Sequence, residues 1–182
     1  MNQEWVETMK MKGRIKLSWL DLLTHYLVVI FLLMPPLFFS FFWLKYVFTG
    51  EYTGVMTFEE MFHVQIPFIL LAFVFFFIQY KRLEFKSIQT SLPLDLIQKF
   101  IAATADELEW VPLVNSKYYK VFKTYPKWYT GSWGEQITVI IDNDKVMINS
   151  ICDPDRKASV VSAGRNRKNM RCLIDKIKNA SR

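Results

Sequence analysis

The chain has 182 residues, a formal net charge of +6, a 52% hydrophobic fraction and 16 Phe. That length admits one membrane element plus one small domain and excludes two sizeable soluble domains. Phe is concentrated between Phe31 and Phe85 while Lys and Arg dominate both ends, so the chain splits into an apolar front half and a charged back half.

A basic stretch, Lys10, Lys12, Arg14 and Lys16, precedes the first apolar run at 22–44, LLTHYLVVIFLLMPPLFFSFFWL, which has no Asp, Glu, Lys or Arg. About 20 such residues cross a hydrocarbon core roughly 30 Å thick. A cleaved secretory signal would be shorter and would end at small residues; this run ends in Phe-Phe-Trp-Leu-Lys, so an uncleaved helix is expected. Pro35 and Pro36 free backbone carbonyls near its middle. The second run, at 62–80, is also uncharged from Val64 to Tyr80. Two soluble core helices of this composition would need a polar face or a large surrounding domain, and the chain has neither.

Lys81, Arg82 and Lys86 follow the second run, whereas the 45–61 loop has Lys45 alone against Glu51, Glu59 and Glu60. Short loops rich in Lys and Arg stay cytoplasmic. The expected arrangement is a basic cytosolic segment over 1–20, a transmembrane hairpin over 21–82 with its acidic loop outside, and a cytosolic domain over 83–182. A bacterial inner membrane is the expected host. Trp19, Trp43, Tyr46, Tyr52 and Tyr80 occupy interfacial anchor positions. His25 and His63 fall at opposite depths of an antiparallel pair, which argues against a shared metal or proton site and favours interfacial residues or partners in an interhelical hydrogen bond.

Residues 85–91 read as a linker or helix continuation. Leu94, Ile97, Phe100, Ile101, Thr104 and Leu108 then repeat at three and four residues, an amphipathic helix ending near Glu109. Residues 110–114, interrupted by Pro112, read as an edge strand, and 117–125 as another strand. The segments 135–142 and 145–151 are β-branched and joined by Asn143-Asp144, a hairpin turn; turn chemistry accounts for Asp142 and Asp144 better than a metal site does. After a polar loop, a second helix is expected over 166–180, with Asn166 as its cap and Met170, Leu173, Ile174 and Ile177 as its apolar stripe. The expected fold class is α+β: a two-helix transmembrane hairpin, then a three- or four-stranded antiparallel meander with both helices on one face.

The soluble part has no His, which removes the usual Ser-His and Cys-His pairs. Gly131-Ser132-Trp133-Gly134 does not fit the nucleophile elbow, no phosphate loop is present, and Cys152 and Cys172 are too far apart for a redox pair. No cofactor, metal or catalytic residue is expected, and an enzyme is unsupported. Two clusters stand out. Arg156, Lys157, Arg165, Asn166, Arg167, Lys168 and Arg171 gather at a helix start, where free N–H groups and guanidiniums hold anions. Lys127, Trp128, Tyr129 and Trp133, with Tyr118, Tyr119, Tyr125 and the lysines of 117–123, suit a membrane surface; part of the aromatic set is expected in the sheet core, and nucleic acid is the weaker partner beside a membrane anchor. The function expected from these clusters is recognition of anionic lipid headgroups or an acidic protein partner by a membrane-anchored, non-enzymatic module. The alternatives are an accessory subunit of a membrane enzyme or transport complex and a small oligomeric pore; either admits homo-oligomers.

Overall fold

The computed structural model describes residues 3–52, 54–127, 129, 132–156, 162 and 164–181. Helix α1 (Gln3–Lys12) precedes two long helices, α2 (Trp19–Thr49) and α3 (Phe58–Arg82). Ser18 caps α2 by accepting the Asp21 N–H at 3.2 Å, and Gly50 closes it in the left-handed conformation at φ 70°. A capping box opens α3: Thr57 accepts the Glu60 N–H at 3.2 Å and donates its own N–H to the Glu60 carboxylate at 2.8 Å. Such reciprocal caps satisfy donors that no intrahelical bond reaches.

Both helices are long and apolar enough to cross a membrane, and only 11% of each one's most apolar window is buried. A soluble core helix would bury most of that surface; here Phe31, Leu37, Phe38, Phe41 and Phe73 face outward. Near the base of the hairpin His25 and Gln79 join the helices: His25 Nε2 lies 3.1 Å from the Gln79 carbonyl, and Gln79 Nε2 donates to the His25 carbonyl at 2.6 Å. His63 instead contacts the Glu59 carbonyl of its own helix at 2.8 Å. The two histidines serve separate local bonds.

Beyond α3 come β1 (Lys86–Gln89), α4 (Leu94–Glu107), β2 (Val111–Asn115), β3 (Tyr119–Lys123), β4 (Glu135–Asp142), β5 (Lys145–Cys152) and α5 (Arg165–Ala180). The sheet is fully antiparallel in the order β1-β5-β4-β3-β2. It has five strands, not three or four. The added strand is β1, in the stretch expected as a linker: its sequence KSIQ buries only Ile88, too little to show a period of two. Asn143, at φ 48°, makes the turn between β4 and β5, and β2 is the edge strand with a register irregularity beside Pro112.

Alternation along β5 sorts the two faces. Val146 and Ile148 join Ile137, Val139, Ile97, Ile101, Leu173 and Ile177 in the main core, so α4 and α5 do cover one face. The opposite face is covered too. Met147 and Ile140 pack on Met9 of α1, and Ile151 packs on Ile15 and Leu83. The chain before α2 and the chain after α3 are stitched together there: the Ile15 N–H donates to the Leu83 carbonyl at 2.8 Å, the Phe85 N–H to the Gly13 carbonyl at 2.9 Å, and Arg14 pairs with Glu84 while stacking 3.5 Å from the Tyr80 ring. Asn149, buried, donates to the carbonyls of Arg82 at 2.7 Å and Glu84 at 2.6 Å. It supplies the terminal carbonyls of α3 with partners that the helix itself lacks.

A basic cleft where the second long helix meets the sheet

Because β1 begins at Lys86 opposite Ile148, the last residues of β5 have no strand beside them on that edge. The gap between the end of α3 and the start of α5 is a cavity of about 590 Å³. Lys81 and Arg82 enter from α3, Lys86 from β1 and Arg167 from α5, with the Ser162 hydroxyl beside them; the Ser150 proton is already given to Asn166. Its one carboxylate, Glu84, is already paired with Arg14. Among the described residues that line it, these four cations from three elements meet no unpaired carboxylate, an arrangement that favours an anion.

The basic cluster expected around the start of α5 is divided by the fold. Arg167 lies in the cleft. Arg165 does not serve as a free cation there: its Nε sits 3.3 Å from the carboxylate of Glu135, which is fully buried and also accepts the hydroxyls of Ser132 and Thr124. Asn166 lines the cleft yet is 9% exposed, accepting the Ser150 hydroxyl at 3.0 Å. It is not the cap of α5 either. Gly164, at φ 81°, holds that position, and a left-handed backbone there suits a residue without Cβ. The Arg165 N–H donates to the Ser162 carbonyl at 2.9 Å and the Asn166 N–H reaches the Ser162 hydroxyl at 3.5 Å, so the first free N–H groups of the helix are occupied and side-chain cations dominate the cleft. Lys168 lies near Glu107 and Cys172, and Arg171 is exposed one turn beyond Arg167. Lys157 lies outside the described residues.

The aromatic and lysine segment is divided as well. Tyr129 and Trp133 are exposed in the connection between β3 and β4, as is Lys127; Trp128 lies outside the described residues. By strand register this connection is at the end of the sheet where the chain enters β1 from α3. Lys120 bonds to Asn115. Lys123 is buried, with Nζ 2.8 Å from Asp153 and paired also with Asp155. Burial alone lowers its pKa, but the hydrogen bonds and charges of the two aspartates outweigh this and hold it above the ordinary lysine value. Arg156 stacks on the Tyr125 ring at 4.7 Å and donates to the Trp133 carbonyl at 3.0 Å. Gly134 fits between them because a Cβ there would lie 2.8 Å from the Thr124 carbonyl.

Cys152 and Cys172 form no disulfide among the described residues. Burial and the Glu107 carboxylate push the Cys172 pKa up, which opposes reactivity because the thiolate is the nucleophile. Sequence reasoning used Lys81, Arg82 and Lys86 for orientation alone; the signal that they also form a site was their position directly after an apolar run, but the convergence with Arg167 needed the path of β1. No protein-family model matches the chain, and no curated protein matches it. Fold and site together define the chain as an α+β domain borne on a helical hairpin of membrane-spanning length, with a basic cleft at their junction.

Proposed function

We propose that this protein is a membrane-anchored module that recognises anionic lipid headgroups in the cleft between α3 and α5. The observation that carries the reading is the convergence of Lys81, Arg82, Lys86 and Arg167 on one cavity at the end of a helix long and apolar enough to span a bilayer. Headgroup phosphates lie at that depth, and each cation near an anionic leaflet contributes about 1 kcal/mol, or roughly fivefold in affinity. Both ends of the hairpin are tied into one domain, which supports termini on the same side; the lysine and arginine bias makes that side cytoplasmic, as in a bacterial inner membrane. The module binds and positions, without a reaction of its own.

The test uses the full chain in nanodiscs containing equal phosphatidylglycerol and phosphatidylcholine, with lipids retained after release read by native mass spectrometry. The wild-type chain keeps phosphatidylglycerol preferentially, and Lys81→Ala with Arg167→Ala reduces that preference by roughly 20-fold, two cations' worth. Retained lipids that mirror the bulk mixture in the wild type would refute the reading.

A further inference from the structure

The largest cavity described, about 830 Å³, lies at the other end of the sheet, away from the point where α3 enters β1. Val6 and Lys10 of α1, Leu94 and Ile97 of α4, and the two turns that join β2 to β3 and β4 to β5 line it, and it is open to the outside on one side. Such a volume suits a small organic ligand, and pockets of this kind combine an apolar lining with a few convergent polar groups. Here the accessible apolar lining is Leu92 and Leu94 on the α4 side and Val6 on the α1 side, with Ile97 and Ile141 buried behind it.

Three features of the rim define what would fit. The carboxylates of Glu7 and Asp142 are both neutralised by Lys10, at 2.9 and 3.0 Å. Lys117 has no carboxylate partner among the described residues; its ammonium lies 5.4 Å over the Tyr118 ring. The Tyr119 hydroxyl makes no hydrogen bond among the described residues, and burial pushes its pKa up to about 12, so it remains a proton donor at physiological pH. The rim therefore presents one uncommitted cation and one uncommitted donor beside aromatic and aliphatic surface. Charge and polarity complement an apolar body with a single anionic group.

We propose that this distal cavity, lined by Leu94, Ile97, Lys117, Tyr118 and Tyr119, is a binding site for small aromatic carboxylates, whose rings rest on the apolar lining and whose carboxylate meets Lys117 and the Tyr119 hydroxyl. The site is separate from the basic cleft and does not depend on it. Helix α1 forms one wall of the cavity.

The probe is 2-naphthoate, observed by saturation-transfer NMR on the full chain in nanodiscs, with empty nanodiscs as the blank. Binding above the blank is expected for the wild type. Lys117→Ala, at an exposed position that leaves the core intact, should weaken it about tenfold, the worth of one charged hydrogen bond; Tyr119→Phe should weaken it less, and Leu94→Trp should crowd the apolar wall and weaken it too. Lys81→Ala with Arg167→Ala should leave it unchanged, so failure here and failure of the lipid reading are told apart. No signal above the blank, or a signal indifferent to Lys117→Ala and Leu94→Trp alike, overturns the assignment.

Discussion

Replacing Glu135 by alanine probes how the start of α5, and with it one wall of the basic cleft, is held in place. The carboxylate is fully buried, accepts the hydroxyls of Ser132 and Thr124, and faces Arg165 at 3.3 Å. Both hydroxyls already use their oxygens to accept backbone N–H groups, Ser132 from Gly134 at 3.2 Å and Thr124 from Glu135 itself at 2.9 Å, so each needs the carboxylate for its proton. Two buried hydroxyls left without an acceptor cost about 1–3 kcal/mol each. Arg165 is 35% exposed at its side chain and rehydrates, which keeps the ion-pair share to about 1 kcal/mol. The total is about 3–7 kcal/mol, a large part of the 5–15 kcal/mol expected for a small domain, and corresponds to a fall in Tm on the order of 20 °C. Thermal unfolding in nanodiscs, followed by the fluorescence of the buried Trp110, measures it. Glu135→Gln keeps one acceptor and should lose about half as much. A Tm within about 3 °C of wild type for the alanine variant, less than 1 kcal/mol for a domain of this size, would refute the reasoning.

Further outcomes follow from other contacts. Asn149→Ala should release the carbonyls of Arg82 and Glu84 and cost about 2 kcal/mol, visible as faster hydrogen exchange at 82–86; exchange unchanged from wild type would count against its role at the end of α3. Lys123 has a folded-state pKa above its unfolded value, so its contribution is complete below about pH 10.4 and is lost as pH rises through the folded value; stability should be flat through neutrality and fall in strong alkali, and Lys123→Met should remove that fall. Arg14→Ala should loosen the junction between the hairpin and the domain, detected as increased protease cleavage at 13–18 with the Tm lowered by only a few degrees.

Much of this architecture is written in local patterns. The two apolar runs, the β4–β5 hairpin with its Asn143 turn, and both helices of the main core depend on periodicities of neighbouring residues, which is why their positions agree with the structure. What local pattern does not carry is partnership over distance. Strand β1 has one buried side chain and exists because β5 offers it an edge. Helix α1 looks like a charged leader, yet Met9 is buried because the sheet has a second apolar face. Arg165 and Arg167 are two residues apart and indistinguishable as text, but a helix directs them differently, one to Glu135 and the other into the cleft. Lys123 read as part of a basic surface because Asp153 and Asp155 are thirty residues away.

The stitching of residues 13–15 to 83–85 means that the hairpin is an insertion within a single folded unit whose first helix is made long before its sheet. During synthesis α1 and both greasy helices emerge first, and α1 must wait until β4 and β5 exist to receive Met9. Assembly of the domain is therefore an event in which a late segment closes onto an early one across the whole hairpin, and removing α1 would leave Ile140 and Met147 uncovered rather than trim a dispensable tail.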